Sequence, residues 1–231
     1  MQDAAAKVSI DLLNVTSSVE GAVWHGSKEK TAYEWWYFDA LSAGGRDAVI
    51  IKFADNSIDS LRYGVGKRVP AVSFTYVRGG RTICSFVNEY PAAELNGDKT
   101  AFNIAGSSFS FDSVEYGSGF RLEIVGKTAS GKRVEARFEW LLIEADIFDG
   151  ESPQNGEHSW NIVSPRADVT GQITVYPRKS NKPDTYQFRG SGYHDHNRDG
   201  RNFIETTSRW VRGRVHYADS TAIFCNYGEF G

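Results

Sequence analysis

Apolar residues recur at every second position along much of the chain, and turn residues separate these runs. Residues 121–125 and 133–140 alternate polar and apolar side chains, with Ser130-Gly131-Lys132 between them. This pattern is typical of a β-hairpin with one buried face. Similar β-branched or aromatic runs lie at 35–40, 48–53, 72–77, 82–87, 108–111, 120–127 and 134–143. Many short strands at regular spacing predict an all-β protein, a barrel or a sandwich.

A polar segment at 149–156, which contains glycine and proline, interrupts the strand pattern. We therefore predict an N-terminal β barrel or sandwich domain over 1–150 and a second β part over 157–231. About five further strands follow the segment, at 171–176, 186–189, 192–196, 203–210 and 221–227. Since five strands are few for a closed barrel, the second part is either incomplete or shared with the first.

Aromatic residues dominate the composition. The 231 residues include 6 Trp, 11 Tyr and 14 Phe against 1 Met, which favours sheets and aromatic-lined cavities. The net charge is −3 and the basic residues are scattered, so nucleic acid is excluded as the expected partner. No apolar run reaches the roughly 18 residues of a membrane span.

Cysteine usage and the N-terminus predict a cytoplasmic location. Cys84 and Cys225 are too few for a disulfide framework and are expected to be reduced. The chain begins Met-Gln-Asp-Ala, without the basic and then apolar residues of a signal peptide.

Titratable side chains are most concentrated in the run Gly-Ser-Gly-Tyr-His-Asp-His-Asn, which ends at Asn197. In a strand, His194 and His196 would lie on one face, and Tyr193, Asp195 and Asn197 on the other. Histidines with this spacing can bind a metal, share a proton or hydrogen-bond structural neighbours.

A metal site receives little support from the spacing along this run. A cupin-type site would place a glutamate three or four residues after the second histidine, whereas the next one is Glu205. His158 or His216 could supply another metal ligand, but no feature of the sequence indicates that either does. The sequence therefore assigns no metal.

The segment YEWWYFD places an acid among aromatic residues. Alternation puts Glu34 and Trp36 on one face and Trp35 and Tyr37 on the other. A carboxylate in such surroundings must be paired, protonated or at a cavity wall, because burying a lone charge is costly. The alternative is a core strand in which an arginine neutralises the acid.

Two further segments hold candidate polar residues. Trp160 and Asn161 precede Arg166, which can pair with a buried acid or form an ion pair where the two parts meet. Tyr217 and Asp219 share a strand face, where a neutral acid can donate a proton; the alternative is an acid in water at a strand end. No Gly-x-Ser-x-Gly elbow, phosphate loop or dinucleotide fingerprint occurs.

Three motifs together resemble the carotenoid 1,2-hydratase (hydroxyneurosporene synthase) family, whose superfamily also contains AttH-like proteins and Diels–Alderases. They are YEWWYFDA at 33–40, HSWNIVSPRADVT at 158–170 and GSGYHDHN at 190–197. The resemblance implies a lipocalin-like, two-part β architecture with an apolar pocket. For a hydratase it implies Asp219 as the proton donor to an alkene, with Tyr217 and His196 orienting the acid or the attacking water.

One departure from the family pattern favours cyclisation over hydration. The family usually continues with Trp-Gly after the last motif, whereas this chain has Arg198-Asp199-Gly200. A tryptophan can stabilise a carbocation with its π face, and an arginine would repel one. A pericyclase needs no carbocation, because it folds a polyene into a reactive shape and polarises a carbonyl with a hydrogen bond.

The leading hypothesis is therefore an enzyme, without cofactor or metal, that cyclises an apolar polyene-like metabolite by a [4+2] cycloaddition. The alternatives are addition of water to an isoprenoid double bond and a non-catalytic carrier of a hydrophobic ligand. The candidate catalytic residues are Glu34, Tyr193, His194, Asp195, His196, Tyr217 and Asp219. The candidate substrate-binding residues are Trp35, Trp36, Tyr37, Trp160, Asn161, Asn197 and Arg166, the last as counter-ion to an acid.

Overall fold

The protein is almost entirely β-structure. Its computed structural model describes residues 13–97, 101–114, 117–143, 157–178 and 182–230. The strands are β1 (Leu13–Thr16), β2 (Tyr33–Leu41), β3 (Ala48–Ala54), β4 (Ala71–Arg78), β5 (Arg81–Glu89), β6 (Leu95–Gly97), β7 (Ala101–Ile104), β8 (Ser107–Val114), β9 (Gly117–Lys127), β10 (Arg133–Leu142), β11 (His158–Tyr176), β12 (Asp184–Asp199), β13 (Thr207–His216) and β14 (Thr221–Glu229). Within the described ranges the helical elements are two 3-10 turns at Glu20–Ala22 and Ala92–Glu94, and helix α1 (Phe203–Thr206).

Twelve of these strands form one sheet. The order is β5-β4-β3-β2-β12-β11-β10-β9-β8-β7-β6, and β1 pairs with β11 in parallel. Most neighbours in the sheet are also neighbours in the chain, as expected for hairpins. The exceptions are the β1–β11 pair and the centre of the sheet, where β2 pairs antiparallel with β12. This pairing places the YEWWYFDA and GSGYHDHN motifs side by side.

One face of the sheet encloses an aromatic core. Trp36, Phe38, Phe53 and Trp140 belong to a single cluster and are fully buried. On β9 and β10 buried apolar residues alternate with more exposed ones, which is the period-two pattern seen in the sequence. Each large apolar side chain that is fully buried contributes about 1.5–3 kcal/mol to folding.

The sheet curls so that strands far apart in its order meet. The Asn88 side chain on β5 donates to the Lys127 carbonyl (3.0 Å) and accepts from the Lys127 N–H (2.8 Å) on β9. Beside this clamp the Phe86 ring lies over Gly126, where an added Cβ would sit 2.2 Å from the ring. Gly126 therefore provides the space that lets β5 approach β9.

Replacing Gly126 with alanine tests this closure. The new methyl group would overlap the Phe86 ring, and we expect the free energy of unfolding to fall by about 1–3 kcal/mol. Urea unfolding measures the change. Gly200→Ala is the matched control, because a Cβ at Gly200 meets nothing within 4 Å. Equal midpoints for the two variants would contradict the proposed packing.

The hairpin β13–β14 forms a separate two-stranded sheet on the opposite face of β2, β11 and β12. Trp210 on β13 makes edge-on contacts with Trp35 and Trp160, with ring centroids 6.3 and 6.0 Å apart. The sheet is therefore covered on both faces near its centre: by the core on one face and by this hairpin on the other.

The predicted all-β fold is confirmed, since a mostly antiparallel sheet curls around an apolar interior. Two strand predictions were wrong in detail. The segments 186–189 and 192–196 belong to one continuous strand, β12. The segment predicted as a strand at 203–210 begins with helix α1, because the Asn202 side chain accepts the Ile204 N–H at 3.1 Å and caps a helical turn.

The predicted linker at 149–156 lies outside the described residues. Strands β11 and β12, which follow it in the chain, pair with β10 and β2, which precede it. The division into domains at 1–150 and 157–231, with the second part incomplete or shared with the first, stays a prediction.

Both cysteines are free thiols. Burial raises the pKa of Cys84 and of Cys225 to about 11. Among the described residues, no helix has the length and apolar character needed to cross a membrane.

Candidate active site

The β2–β12 pair divides the candidate residues between two faces of the sheet. The register sets His196 opposite Trp36 and Asp195 opposite Tyr37. Because side chains alternate along a strand, the two histidines of the last motif face the core, and Asp195 faces the β13–β14 hairpin. Residues that are adjacent in the sequence therefore form two separate polar groups, an outer and an inner one.

Asp195 is the centre of the outer group. It is 1% exposed and accepts hydrogen bonds from Trp160 Nε1 (3.0 Å), Tyr193 Oη (2.9 Å) and Asn197 Nδ2 (2.9 Å). Its ionic partner is Arg212 on β13. Burial raises the pKa of Asp195, and the Arg212 guanidinium and the donated hydrogen bonds oppose that rise. Such a carboxyl group can hold or transfer a proton when its surroundings change.

Arg212 joins the hairpin to this carboxylate. Its guanidinium lies 4.2 Å from the ring centroid of Tyr37 and 4.7 Å from that of Tyr193. These contacts and the ion pair fix a planar cation between two aromatic rings. The same side chain borders a cleft of about 100 Å³, together with Asp39, Arg214 and Ile223.

A chain of hydrogen bonds extends the outer group away from Arg212. Asn197 Oδ1 lies 3.3 Å from His158 Nε2, and His158 Nδ1 lies 2.7 Å from Tyr33 Oη. Burial lowers the pKa of His158 to about 4, so the ring is neutral near neutral pH. Both contacts are satisfied when the His158 ring carries its hydrogen on Nε2. Nε2–H then donates to Asn197 Oδ1, and Nδ1 accepts from the Tyr33 hydroxyl.

Glu34 is the centre of the inner group. Its Oε1 atom lies 2.7 Å from His25 Nδ1 and 2.8 Å from His196 Nε2. Burial acts to raise the pKa of Glu34, but the hydrogen bonds from His196 and His25 prevail and lower it to about 2. The partners of this acid are thus histidines, whereas the sequence analysis considered an arginine.

His194 is the second inner histidine and has an unusual environment. It is fully buried and stacks on Phe38, with ring centroids 3.7 Å apart. Its Nδ1 atom bonds the Tyr37 carbonyl at 3.0 Å, while Nε2 has no hydrogen-bond partner among the described residues. Burial lowers the pKa of His194 to about 3, so the ring stays neutral.

An apolar cavity of about 490 Å³ opens beside the inner group. Two of its walls, Phe109 and Phe120, also contact the His194 ring. A volume of this size and lining is typical of a small-molecule site. The lining residues are Val19, Glu20, Ala22, Val23, Trp24, Ala101, Phe102, Phe109, Phe111 and Phe120.

The other candidate residues lie outside these two groups. Asn161 bonds the backbone of Ser18 through both ends of its amide and so holds the segment after β1. Tyr217 is 56% exposed and Asp219 is exposed at the hairpin turn. Arg166 donates to the Tyr217 carbonyl and is not the counter-ion of Asp195 or Glu34.

Of the predicted aromatic residues, Trp35 and Tyr37 border the outer group and Trp36 stacks on His196 in the inner one. Sequence reasoning missed His25 and Arg212. For Arg212 a signal was present, because Trp210, Arg212 and Arg214 alternate along one strand face. For His25, in a loop, we find no such signal.

The chain is similar to proteins that are already known. No protein-family model matches the chain. The chain is 27% identical over 233 residues to hydroxyneurosporene dehydrogenase of Chlorobaculum tepidum, an alignment that covers 88% of this chain and 58% of that protein. It also resembles the crystal structure of CghA with Sch210972, at a TM-score of 0.49 and 12% identity, covering 87% of this chain and 58% of that one.

The similarity to the Chlorobaculum protein confirms the resemblance that the three sequence motifs carry. The chain spans a little under three-fifths of the length of that relative.

Proposed function

We propose that this chain is part of an enzyme that binds an apolar, polyene-like small molecule and promotes its intramolecular cyclisation without a cofactor. The observation that carries the proposal is the outer group, in which a buried acid, a tyrosine and an arginine converge beside a cleft. Three donors and a cation meet on Asp195 within a largely aromatic surround. Polar groups fixed in advance in this way stabilise charge that develops in a transition state.

Arg212 would supply the polarising hydrogen bond, and Tyr193, whose hydroxyl donates to Asp195, would help to hold that carboxylate. A guanidinium has five N–H donors, so Arg212 can bond Asp195 and still donate to a carbonyl oxygen in the cleft. In a [4+2] cycloaddition two carbon–carbon bonds form and no atom enters or leaves, and hydrogen bonding to a conjugated carbonyl lowers the barrier. Asp195 would keep the arginine and the tyrosine in place.

The class of substrate follows from the surroundings of the outer group. The Trp210 ring contacts the rings of Trp35 and Trp160 there, and the three rings give the group an apolar border. The name of the Chlorobaculum relative refers to a hydroxylated carotenoid, which supports an apolar, unsaturated substrate. Tyr217 and Asp219 are exposed, which gives hydration through Asp219 less support.

The metabolite that accumulates after deletion of the gene tests the reaction type. We expect it to have the same mass as the mature product, because cyclisation is an isomerisation. A precursor lighter by one water would contradict cyclisation and indicate a hydratase. An unchanged metabolite profile, with tight binding of apolar ligands by the purified protein, would indicate a carrier.

Tyr193→Phe tests the assignment of the site. Loss of the hydroxyl that donates to Asp195 weakens the positioning of this carboxylate and of Arg212, and is expected to lower the turnover rate at least about tenfold. Asp195→Asn is expected to lower it by about 100-fold or more. Tyr76→Phe is the matched control, because Tyr76 is a fully buried core tyrosine whose hydroxyl has no partner among the described residues. Unchanged turnover in both Tyr193→Phe and Asp195→Asn would refute the outer group as the active site.

A further inference from the structure

The imidazole ring of His196 lies between two oxygen atoms of the inner group. Its Nδ1 atom lies 2.9 Å from the Gly21 carbonyl oxygen, and its Nε2 atom lies 2.8 Å from Glu34 Oε1. A carbonyl oxygen and a carboxylate oxygen accept hydrogen bonds, so a hydrogen or a metal ion must lie between Nε2 and the carboxylate oxygen. The contact with Glu34 is therefore held by a proton or by a metal ion.

His25 approaches the same oxygen atom from a different segment of the chain. Its Nδ1 atom is 2.7 Å from Glu34 Oε1, and its backbone N–H bonds both carboxylate oxygens at 3.1 Å. The ligand atoms of His25, Glu34 and His196 all lie within 4.8 Å of one another. Two imidazole nitrogens thus converge on one carboxylate oxygen.

We propose that His25, Glu34 and His196 bind one divalent transition-metal ion, such as Zn²⁺, in place of the shared protons. Two histidines and one glutamate are a ligand set that leaves a tetrahedral zinc ion with a free fourth position. Bonds of about 2.0–2.2 Å place neighbouring ligand atoms about 3.3 Å apart, so the two contacts need to open by roughly 0.6 Å. The proposal does not depend on the proposed function, which uses the other face of the sheet.

The surroundings of the three residues support a metal site. The Gly21 carbonyl accepts from His196 Nδ1, which leaves Nε2 directed at the metal position, as outer partners of metal-binding histidines do. Trp36 stacks on the His196 ring at 4.7 Å and restrains its orientation. The His25 side chain is 36% exposed, and this exposure gives an ion a path to the buried glutamate.

The free position would lie near the apolar cavity. Ala22, Val23 and Trp24, the residues between Gly21 and His25, all line that cavity. A ligand with an apolar body and one oxygen donor could therefore occupy the cavity and complete the coordination. The spacing of histidines along the chain does not reveal this site, because its three ligands come from three separate segments.

Titration with Co²⁺ and Zn²⁺ tests the site on the whole chain after treatment with a chelator. We expect one ion per chain, a visible absorption band for bound Co²⁺, and release of about one or more protons per ion, because metal binding displaces them. Calorimetry in buffers of different ionisation enthalpy counts those protons. Glu34→Gln and His25→Ala should each weaken binding at least 10- to 100-fold.

His216→Ala is the matched control for adventitious binding, because this histidine lies in the hairpin and contacts Thr221 and Arg214. It should leave the affinity unchanged. His25 is partly exposed, so its variant is expected to stay folded, and near-ultraviolet circular dichroism checks this. The proposal is wrong if the native protein shows no saturable binding, or if folded His25→Ala binds as tightly as the native protein.

Discussion

Acidification from about pH 6.5 to about pH 4 is expected to remove about 5 kcal/mol of the free energy of unfolding. Two buried histidines, His194 and His158, cause most of this loss. Burial lowers their pKa values to about 3 and about 4 in the folded protein, whereas an unfolded histidine titrates near pH 6.5. The unfolded chain therefore binds more protons in this range, and acid favours unfolding.

Above about pH 6.5 the two histidines are neutral in both the folded and the unfolded chain, and they cost no stability. As the pH falls toward their folded pKa values, the unfolded chain takes up protons and the free energy of unfolding declines. Two protons taken up on unfolding correspond to a slope of about 2.7 kcal/mol per pH unit. Glu34, with its pKa lowered to about 2, adds a loss of the same sign below about pH 4.5. Because domains are stable by only about 5–15 kcal/mol, we expect unfolding near pH 4.

Urea unfolding at a series of pH values measures this slope. His194→Phe should reduce it by about half, because phenylalanine can stack on Phe38 but takes up no proton. The half-buried His216 is the comparison, and His216→Gln should keep most of the slope. An unfolding free energy that stays constant between pH 7 and pH 4 would mean that neither buried histidine is neutral.

Local sequence pattern accounts for most of the strands. The alternation on β9 and β10 depends on one buried face, so it shows directly in residues 121–125 and 133–140. The pairing of β2 with β12 was not predictable in the same way. The two strands are about 150 residues apart, and alternation shows which face is buried but not which strand lies alongside.

The candidate site was predictable only in part, for the same reason. Alternation correctly separates His194 and His196 from Asp195, because all three lie on one strand. Each group is completed by a residue from elsewhere in the chain: His25 from a loop and Arg212 from the hairpin. Their positions depend on tertiary packing, and the alternation of polar and apolar residues along a strand carries no information about it.

Arg212→Met is expected to lower the free energy of unfolding by about 3–5 kcal/mol, because it leaves Asp195 buried without its cation. The variant also loses the stacking of the guanidinium on Tyr37 and Tyr193. Thermal and urea unfolding measure the loss. Arg137→Met is the matched control, since Arg137 is 81% exposed in its pair with Glu123, and surface pairs contribute little. A loss no larger than that of the control would mean that Asp195 is neutral or solvated.

The double variant Asp195→Asn/Arg212→Met separates stability from activity. Removing both charges eliminates the uncompensated carboxylate, and replacing a whole buried ion pair is often close to neutral. We therefore expect most of the lost stability to return, to within about 1–2 kcal/mol of the native protein, while activity stays absent. If activity returned with stability, the pair would only support the hairpin. Restored folding without turnover would indicate that the charge at this position serves the reaction.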